Sequence, residues 1–254
     1  MAITIKSERE IELMAEAGKI LERVHNELEK ALHPGMSTKD IDTLGEKIIR
    51  SYGCIPSFLN YNGYPASICV SVNQEVVHGI PDKHRIIHEG DIVSLDAGVI
   101  YKGYHSDAAR THAVGEVSEE AKKLIQVTKE SFFEGIKFAK AGNHLFDISG
   151  AIGRYAEERG YGVVRDLCGH GIGTALHEAP EIPNYEVGRK GVRLRPGMTL
   201  AIEPMINIGT HEVDWLDDDW TVVTRDGSLS AHYENTILIT EGEPRILSLT
   251  CDNE

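Results

Sequence analysis

Residues Asp91 to Thr111 read DIVSLDAGVIYKGYHSDAART, and they carry two aspartates in a stretch otherwise suited to a sheet. Ile92, Val93, Leu95, Val99 and Ile100 are strand formers and Lys102-Gly103 suits a tight turn, so the segment predicts a hairpin. Asp96 falls in the first arm and Asp107 in the second, at an odd separation. Whether a two-residue turn centres on Tyr101-Lys102 or on Lys102-Gly103, both side chains then leave the same face of the ribbon. Like charges placed so repel, and a proton or a hard divalent cation between them relieves the repulsion. Two solvated aspartates on an open face are the alternative that the hairpin alone leaves standing.

The chain has 254 residues, of which 41% are hydrophobic and 26% charged, the balance of a globular protein long enough for a substantial core. No apolar run approaches the roughly 18 residues of a membrane helix, and the start MAITIKSEREIEL has no signal-peptide core, which places the protein in the cytoplasm and away from membranes. Cys54, Cys69, Cys168 and Cys251 are scattered without a C-x-x-C pair, against structural zinc or a disulfide framework. A formal charge of −14 argues against indiscriminate nucleic-acid binding, and no DNA-specific motif is present.

Outward from the hairpin, Ser7-Glu8-Arg9-Glu10 is a capping box before Ile11, Met14, Leu21, Val24, Leu28 and Leu32, a long amphipathic helix stopped by Pro34-Gly35. Ser37-Thr38-Lys39-Asp40 caps a second helix, with Ile41, Leu44, Ile48 and Ile49 on its apolar side, ending at Gly53. Residues 54 to 66 form an aromatic-rich loop, and Ile68, Val70 and Val72 alternate with Ser67, Cys69 and Ser71 as in a half-buried strand. The first half thus runs helix, helix, strand, hairpin.

The second half repeats this plan. Ser118-Glu119-Glu120 opens another long helix through Leu124, Ile125, Phe132 and Ile136. Gly35, Asp40-Ile41 and Gly53 return 107 positions later as Gly142, Asp147-Ile148 and Gly160, and the same offset carries Gly90 to Asp96 onto Gly197 to Glu203. His78-Gly79-Ile80 is echoed by His170-Gly171-Ile172, and His105-Ser106-Asp107 by His232-Tyr233-Glu234. A duplicated unit packs about a pseudo-two-fold axis, which would bring Asp96 and Asp107 to face Glu203 and Glu234 across one cleft. Four such carboxylates repel by several kcal/mol even at an effective dielectric of about 20. With His170 they make five oxygen and nitrogen donors, a set that favours Mn, Fe(II) or Co, and more donors than one ion needs.

Asp96, Asp107, His170, Glu203 and Glu234, in the order D-D-H-E-E, together with His177-Glu178-Ala179-Pro180 and Ile202-Glu203-Pro204, resemble the type I methionine aminopeptidases across essentially the whole chain. Gly63 to Asp82, GYPASICVSVNQEVVHGIPD, is similar to that family's pocket-lining segment. The chain lacks the N-terminal extension of eukaryotic and some bacterial members and the helical insertion of type II enzymes, so the resemblance is to the short bacterial form.

The resemblance implies an α+β, pita-bread fold: two pseudo-two-fold related halves, about 1–112 and 113–254, around a central curved antiparallel sheet, in a single catalytic domain of residues 1–254. It implies two divalent ions from among Co, Mn, Fe(II), Ni and Zn, with Asp96 on one, His170 and Glu203 on the other, and Asp107 and Glu234 bridging. Glu203 would also handle the proton passed to the leaving amine, and His78 and His177 would contact the substrate backbone and the oxyanion. Tyr61, Tyr64, Cys69 and Trp220 match the family's methionine pocket; Phe58 and Leu176 stand where some bacterial members have cysteine and phenylalanine. A monovalent cation near Asn73, Glu75 and Ser230 is a further implication. The implied substrates are N-terminal peptides of nascent proteins with a small second residue, a condition that the Met1-Ala2 start itself meets. A monomer with transient ribosome association is also implied. Thr210 to Trp220, THEVDWLDDDW, is however acidic where some relatives carry lysines, and it reads as a solvated loop before a hairpin at Asp226-Gly227. The competing readings are a proline-directed relative, which would carry a large extra N-terminal domain, and a silent pita-bread binding module, which would have lost its metal ligands.

Overall fold

Each long helix begins where the sequence supplies a cap and an apolar stripe together. The computed structural model describes residues 2–249, so Met1 and Cys251 lie outside the described residues. Helix α1, Glu8–Ala31, starts with a closed capping box in which Ser7 accepts the Glu10 N–H and the Glu10 carboxylate returns to the Ser7 N–H at 2.8 Å. Helix α2, Thr38–Ser51, repeats the device with Ser37 and Asp40. Short strand β1, Ile55–Pro56, then leads to β2, Ile68–Val72, β3, Glu75–Val77, and the hairpin arms β4, Ile92–Tyr101, and β5, Tyr104–Ala113.

The second half opens with α3, Glu119–Ile136, and α4, Leu145–Glu157. Strands β6, Gly162–Val163, β7, Gly169–Gly171, β8, Glu178–Ile182, β9, Thr199–Ile202, and β10, Met205–Asn207, follow. The chain ends in β11, Val213–Trp215, β12, Val222–Thr224, β13, Ser230–His232, β14, Glu234–Leu238, and β15, Arg245–Ile246. Among the described residues no helix is long and apolar enough to cross a membrane.

The main sheet runs β1-β4-β5-β14-β9-β7-β8, with β2 also on β4, and all its pairings are antiparallel. About the β5–β14 seam the order is symmetrical: β2, β4 and β5 on one side answer β7, β9 and β14 on the other. The 107-residue offset recurs in detail, because Ser37 bridges Ile86 and His144 bridges Arg193. Gly90 and Gly197, at φ 93° and 86°, make corresponding turns into β4 and β9 in a region that only glycine enters freely. Apolar residues pointing to one side of the sheet pack under the helices in two cores. Val70, Val93, Leu95 and Ala108 meet Leu21, Val24 and Ile41, while Leu200, Ile202 and Ile237 meet Phe132, Ile148 and Ile152.

Three expectations from the sequence need correction. The strand Ile68–Val72 is buried on both sides, not half-buried: Cys69 lines the cleft, and the Ser71 hydroxyl accepts the Gly79 N–H at 3.1 Å. Thr210 to Trp220 is not a plain loop: it contains β11, which pairs with β12 to form a hairpin. Asp226-Gly227 makes a turn, with the Gly227 N–H on the Thr224 carbonyl at 3.2 Å, but it joins strands of two different small sheets, β11-β12-β3 and β13-β10-β6, so no hairpin forms there.

Candidate active site

Strand register alone sets five ionisable side chains on one face of the main sheet. The hairpin turn falls at Lys102-Gly103, with Tyr101 opposite Tyr104, so Asp96 pairs with Ala109 and Asp107 lies diagonal to it. Cys69 is opposite Asp96, and Glu234 is opposite Ala109 from the other side. Ala201 faces Thr236 and His170 faces Ala201, and Glu203, two residues past Ala201, follows the same alternation. The helices cover the other face, so this face forms the cleft.

Ligand atoms of Asp107, His170 and Glu234 all lie within 4.8 Å of one another. His170 Nε2 is 3.6 Å from Glu203 Oε1 and 3.9 Å from Asp107 Oδ2. Its Nδ1 is 2.9 Å from the Gly171 carbonyl, which can only accept; Nδ1 therefore carries the proton and Nε2 presents its lone pair to the carboxylates. Burial, reinforced by Asp107 and Glu203, holds the Asp96 carboxyl far above the usual range. Burial and then Asp107 do the same to Glu203, and burial followed by Asp107, Glu203 and Asp96 to Glu234. Burial pushes Asp107 up to about 7. Asp96 Oδ1, Asp107 Oδ1 and Glu234 Oε1 are buried without any hydrogen-bond partner. Buried carboxylate oxygens left unpaired beside a free imidazole lone pair fit divalent cations, which satisfy both the charge and the orphaned acceptors.

Against this acidic end lies an apolar wall. Phe58, Tyr61, Tyr64, Cys69, Leu176 and Trp220 line the same cavity as Asp96, Asp107, His170, Glu203, Glu234, His78 and His177, so every residue singled out from the sequence for the metal, catalytic or substrate role meets in one place. Tyr64 donates to the Gly79 carbonyl at 2.9 Å, and the Trp220 ring meets it edge-on at 5.1 Å. Tyr61 hydroxyl is 2.8 Å from His177 Nδ1, and the His177 ring stands perpendicular to His170 at 4.2 Å. His78 has a left-handed backbone, φ 60°, a strain typical of sites where the fold holds one side chain in place. Burial, then His177, brings its imidazole down to about 4, so it is neutral at physiological pH.

Two residues of the site were not read from the sequence. Asn62 lines the cavity from a left-handed position, φ 49°; the turn dipeptide Asn62-Gly63 between two pocket tyrosines was the available signal. His232 is buried with both ring nitrogens unpartnered and Nε2 3.8 Å from Glu203 Oε2. It was visible only as the repeat echo of His105, and spacing does not tell which echo turns inward. Elsewhere Asn73 and Ser230 adjoin, the Ser230 N–H donating to the Asn73 carbonyl at 2.9 Å, and Glu75 accepts the Val72 N–H at 2.7 Å.

Residues 12–241 match the model of metallopeptidase family M24, and the chain belongs to that family. It is 58% identical to a methionine aminopeptidase of Clostridium acetobutylicum over 97% of this chain and 99% of the relative, and 52% identical to methionine aminopeptidase 1 of Bacillus subtilis over 94% and 96%. Among solved structures it is similar to the methionine aminopeptidase of Thermotoga maritima, with a TM-score of 0.96, 47% identity and coverage of 98% of this chain and 100% of that one. An Xaa-Pro dipeptidase from Bacillus anthracis superposes with a TM-score of 0.78 at 27% identity, over 97% of this chain and 62% of that one. The fold is accordingly the α+β pita-bread fold, as the sequence led one to expect.

Proposed function

We propose that this chain is a methionine aminopeptidase, removing N-terminal methionine from peptides with a small second residue. The observation that supports this best is the union, in one cleft, of buried unpaired carboxylates with an aromatic wall that offers a side chain no charge. Such a wall suits a thioether, which binds by burial and sulfur-to-ring contact.

Asp96, Asp107, His170, Glu203 and Glu234 would hold two divalent ions, with Asp107 and Glu234 shared as ligands. When bound, the ions supply an activated water and a Lewis acid for the peptide carbonyl. Glu203 would carry the proton to the leaving amine. If the Tyr61 phenol donates to His177 Nδ1, the His177 proton sits on Nε2, free to donate to the developing oxyanion; neutral His78 would donate to the substrate backbone. The substrates would be nascent-chain termini met in the cytoplasm, by a monomeric single domain whose two halves descend from a duplicated unit. A monovalent cation would sit by Asn73, Glu75 and Ser230.

Release of methionine from Met-Ala-Ser, compared with cleavage of Ala-Pro peptides, with and without chelator, tests the reading. Chelator-sensitive release from Met-Ala-Ser alone is expected. Preference for the Ala-Pro peptide would make the chain proline-directed, and inertness toward both after metal loading would leave a binding module.

A further inference from the structure

Trp220 walls the pocket, yet it stands outside the strands. The β12–β3 pairing sets Val222 opposite Val77, and β12 begins two residues after the indole. Nothing in that pairing fixes where the ring lies. Asp218 supplies the missing constraint. Its Oδ1 accepts the Trp220 N–H at 2.9 Å and the Thr221 N–H at 2.7 Å, and its Oδ2 accepts the Thr221 hydroxyl at 2.6 Å. The Leu216 N–H closes the turn on the Thr221 carbonyl at 2.9 Å, and the Asp219 N–H returns to the Leu216 carbonyl at 3.1 Å, with Asp219 in the left-handed region at φ 64°. Held in this frame, the Trp220 ring meets Tyr64 at 5.1 Å and 72°, and His78 at 6.2 Å and 82°.

We propose that Asp218 is a positioning residue for specificity: by clasping the backbone of Trp220 and Thr221 it sets the wall against which the substrate's first side chain packs. The inference rests on the methionine aminopeptidase reading and adds to it the residue that shapes the pocket without touching the substrate. Burial opposes ionisation, but the Thr221 hydroxyl and the Thr221 and Trp220 N–H groups hold the Asp218 carboxyl below its ordinary range, so the turn's donors grip an anion. Both backbone bonds use a single oxygen, so acceptor geometry and charge act together at one atom.

The test compares the metal-loaded wild type with Asp218→Ala and Asp218→Asn on Met-Ala-Ser and Leu-Ala-Ser. Freeing the wall in Asp218→Ala should raise KM for Met-Ala-Ser about tenfold with kcat within about twofold, and should narrow the preference for methionine over leucine, since one methylene's worth of pocket fit carries about that much discrimination. Asp218→Asn retains the oxygen that takes both N–H groups but loses the charge that strengthens those bonds, and should fall between wild type and Asp218→Ala. Metal titration by calorimetry should be the same in all three proteins. Wild-type KM and selectivity in Asp218→Ala would overturn the proposal. So would Asp218→Asn as impaired as Asp218→Ala, which would make the role one of charge alone, and so would lower kcat or weaker metal binding at constant KM, which would move the effect to the metal centre. Should Asp218→Ala not fold, Thr221→Val, which removes only the contact to Oδ2, must still raise KM measurably for the proposal to stand. A wild type that releases no methionine defeats the functional reading instead.

Discussion

Replacing Asp107 by asparagine should raise the stability of the metal-free protein and lower that of the loaded one. Asp107 is 4% exposed, and burial lifts its carboxyl from 3.8 to about 7. Above that value the folded, metal-free protein carries an anion that the unfolded chain solvates freely, a cost on the order of 4 kcal/mol. Asparagine removes the charge but leaves a buried amide whose incomplete hydrogen bonding costs about 1–3 kcal/mol, so a net gain of roughly 1–3 kcal/mol remains. For a chain of this size that is a rise in Tm of about 2–10 °C. The sign with pH follows: between 3.8 and about 7 the native state binds more protons than the unfolded one, so wild-type stability grows on acidification, the advantage of the variant is lost within that window, and below 3.8 the variant is the less stable by the amide cost of about 1–3 kcal/mol. With metal the order reverses. An ion at about a thousand times its Kd stabilises by about 4 kcal/mol, and a site without one of the carboxylates proposed to hold it would forfeit most of that. Calorimetric melts of both proteins in chelator and in excess manganese, on the alkaline side of neutrality, read all four values. The reasoning fails if Asp107→Asn melts below wild type in chelator, or if manganese raises both melts equally.

Other expectations are simpler. Glu234→Gln should abolish turnover in a protein that remains folded by circular dichroism; measurable turnover would remove Glu234 from the bridging role. His177→Ala should lower kcat by roughly 100-fold or more, the worth of one oxyanion donor, with metal affinity unchanged by calorimetry; an unaltered rate would refute its assignment. His25, whose Nε2 donates to the Ala108 carbonyl at 2.8 Å, is held well below its ordinary 6.5 by burial and then by Arg110 and His112. The unfolded state therefore binds the extra proton, and stability falls as pH drops below 6.5; denaturant titrations should show a slope up to about 1.4 kcal/mol per pH unit shallower in His25→Gln. Gly18→Ala would drive a Cβ into the Leu247 carbonyl oxygen, and the resulting shift of α1 should outweigh the gain of about 1 kcal/mol in helix propensity; greater stability in urea would contradict that packing.

The acidic side chains that meet in the cleft were legible because the chain states its plan twice. An odd separation between Asp96 and Asp107 fixes a shared face whichever turn forms, and the 107-residue offset carries that inference to Glu203 without any coordinates. Helix starts were equally plain, since Ser7 with Glu10 and Ser37 with Asp40 are local devices. What the sequence concealed is where side chains turn once strands and turns have formed. Alternation at Ile68–Val72 reports a change of face, not whether water lies beyond it, so the covering of Cys69 by the cleft and of Ser71 by the turn at Gly79 was invisible. The run Asp217 to Asp219 reads as charge in solvent, and only the folded hairpin shows the middle carboxylate turned back on its own backbone. His232 belongs to the same class: its neighbour Glu203 is 29 positions away in the chain.

The seam between the halves has a mechanical consequence. Arms β4 and β5 are joined by ten residue pairs, whereas β5 and β14 share a register of only two, Glu234 with Ala109 and Asn235 with Ala108. The carboxylates and imidazole that straddle this short join come from either side of it. Bound cations would thus act as rivets between the two halves, so metal loading should slow amide exchange at Ala108, Ala109 and Asn235 more than in β11 and β12, which carry none of these side chains.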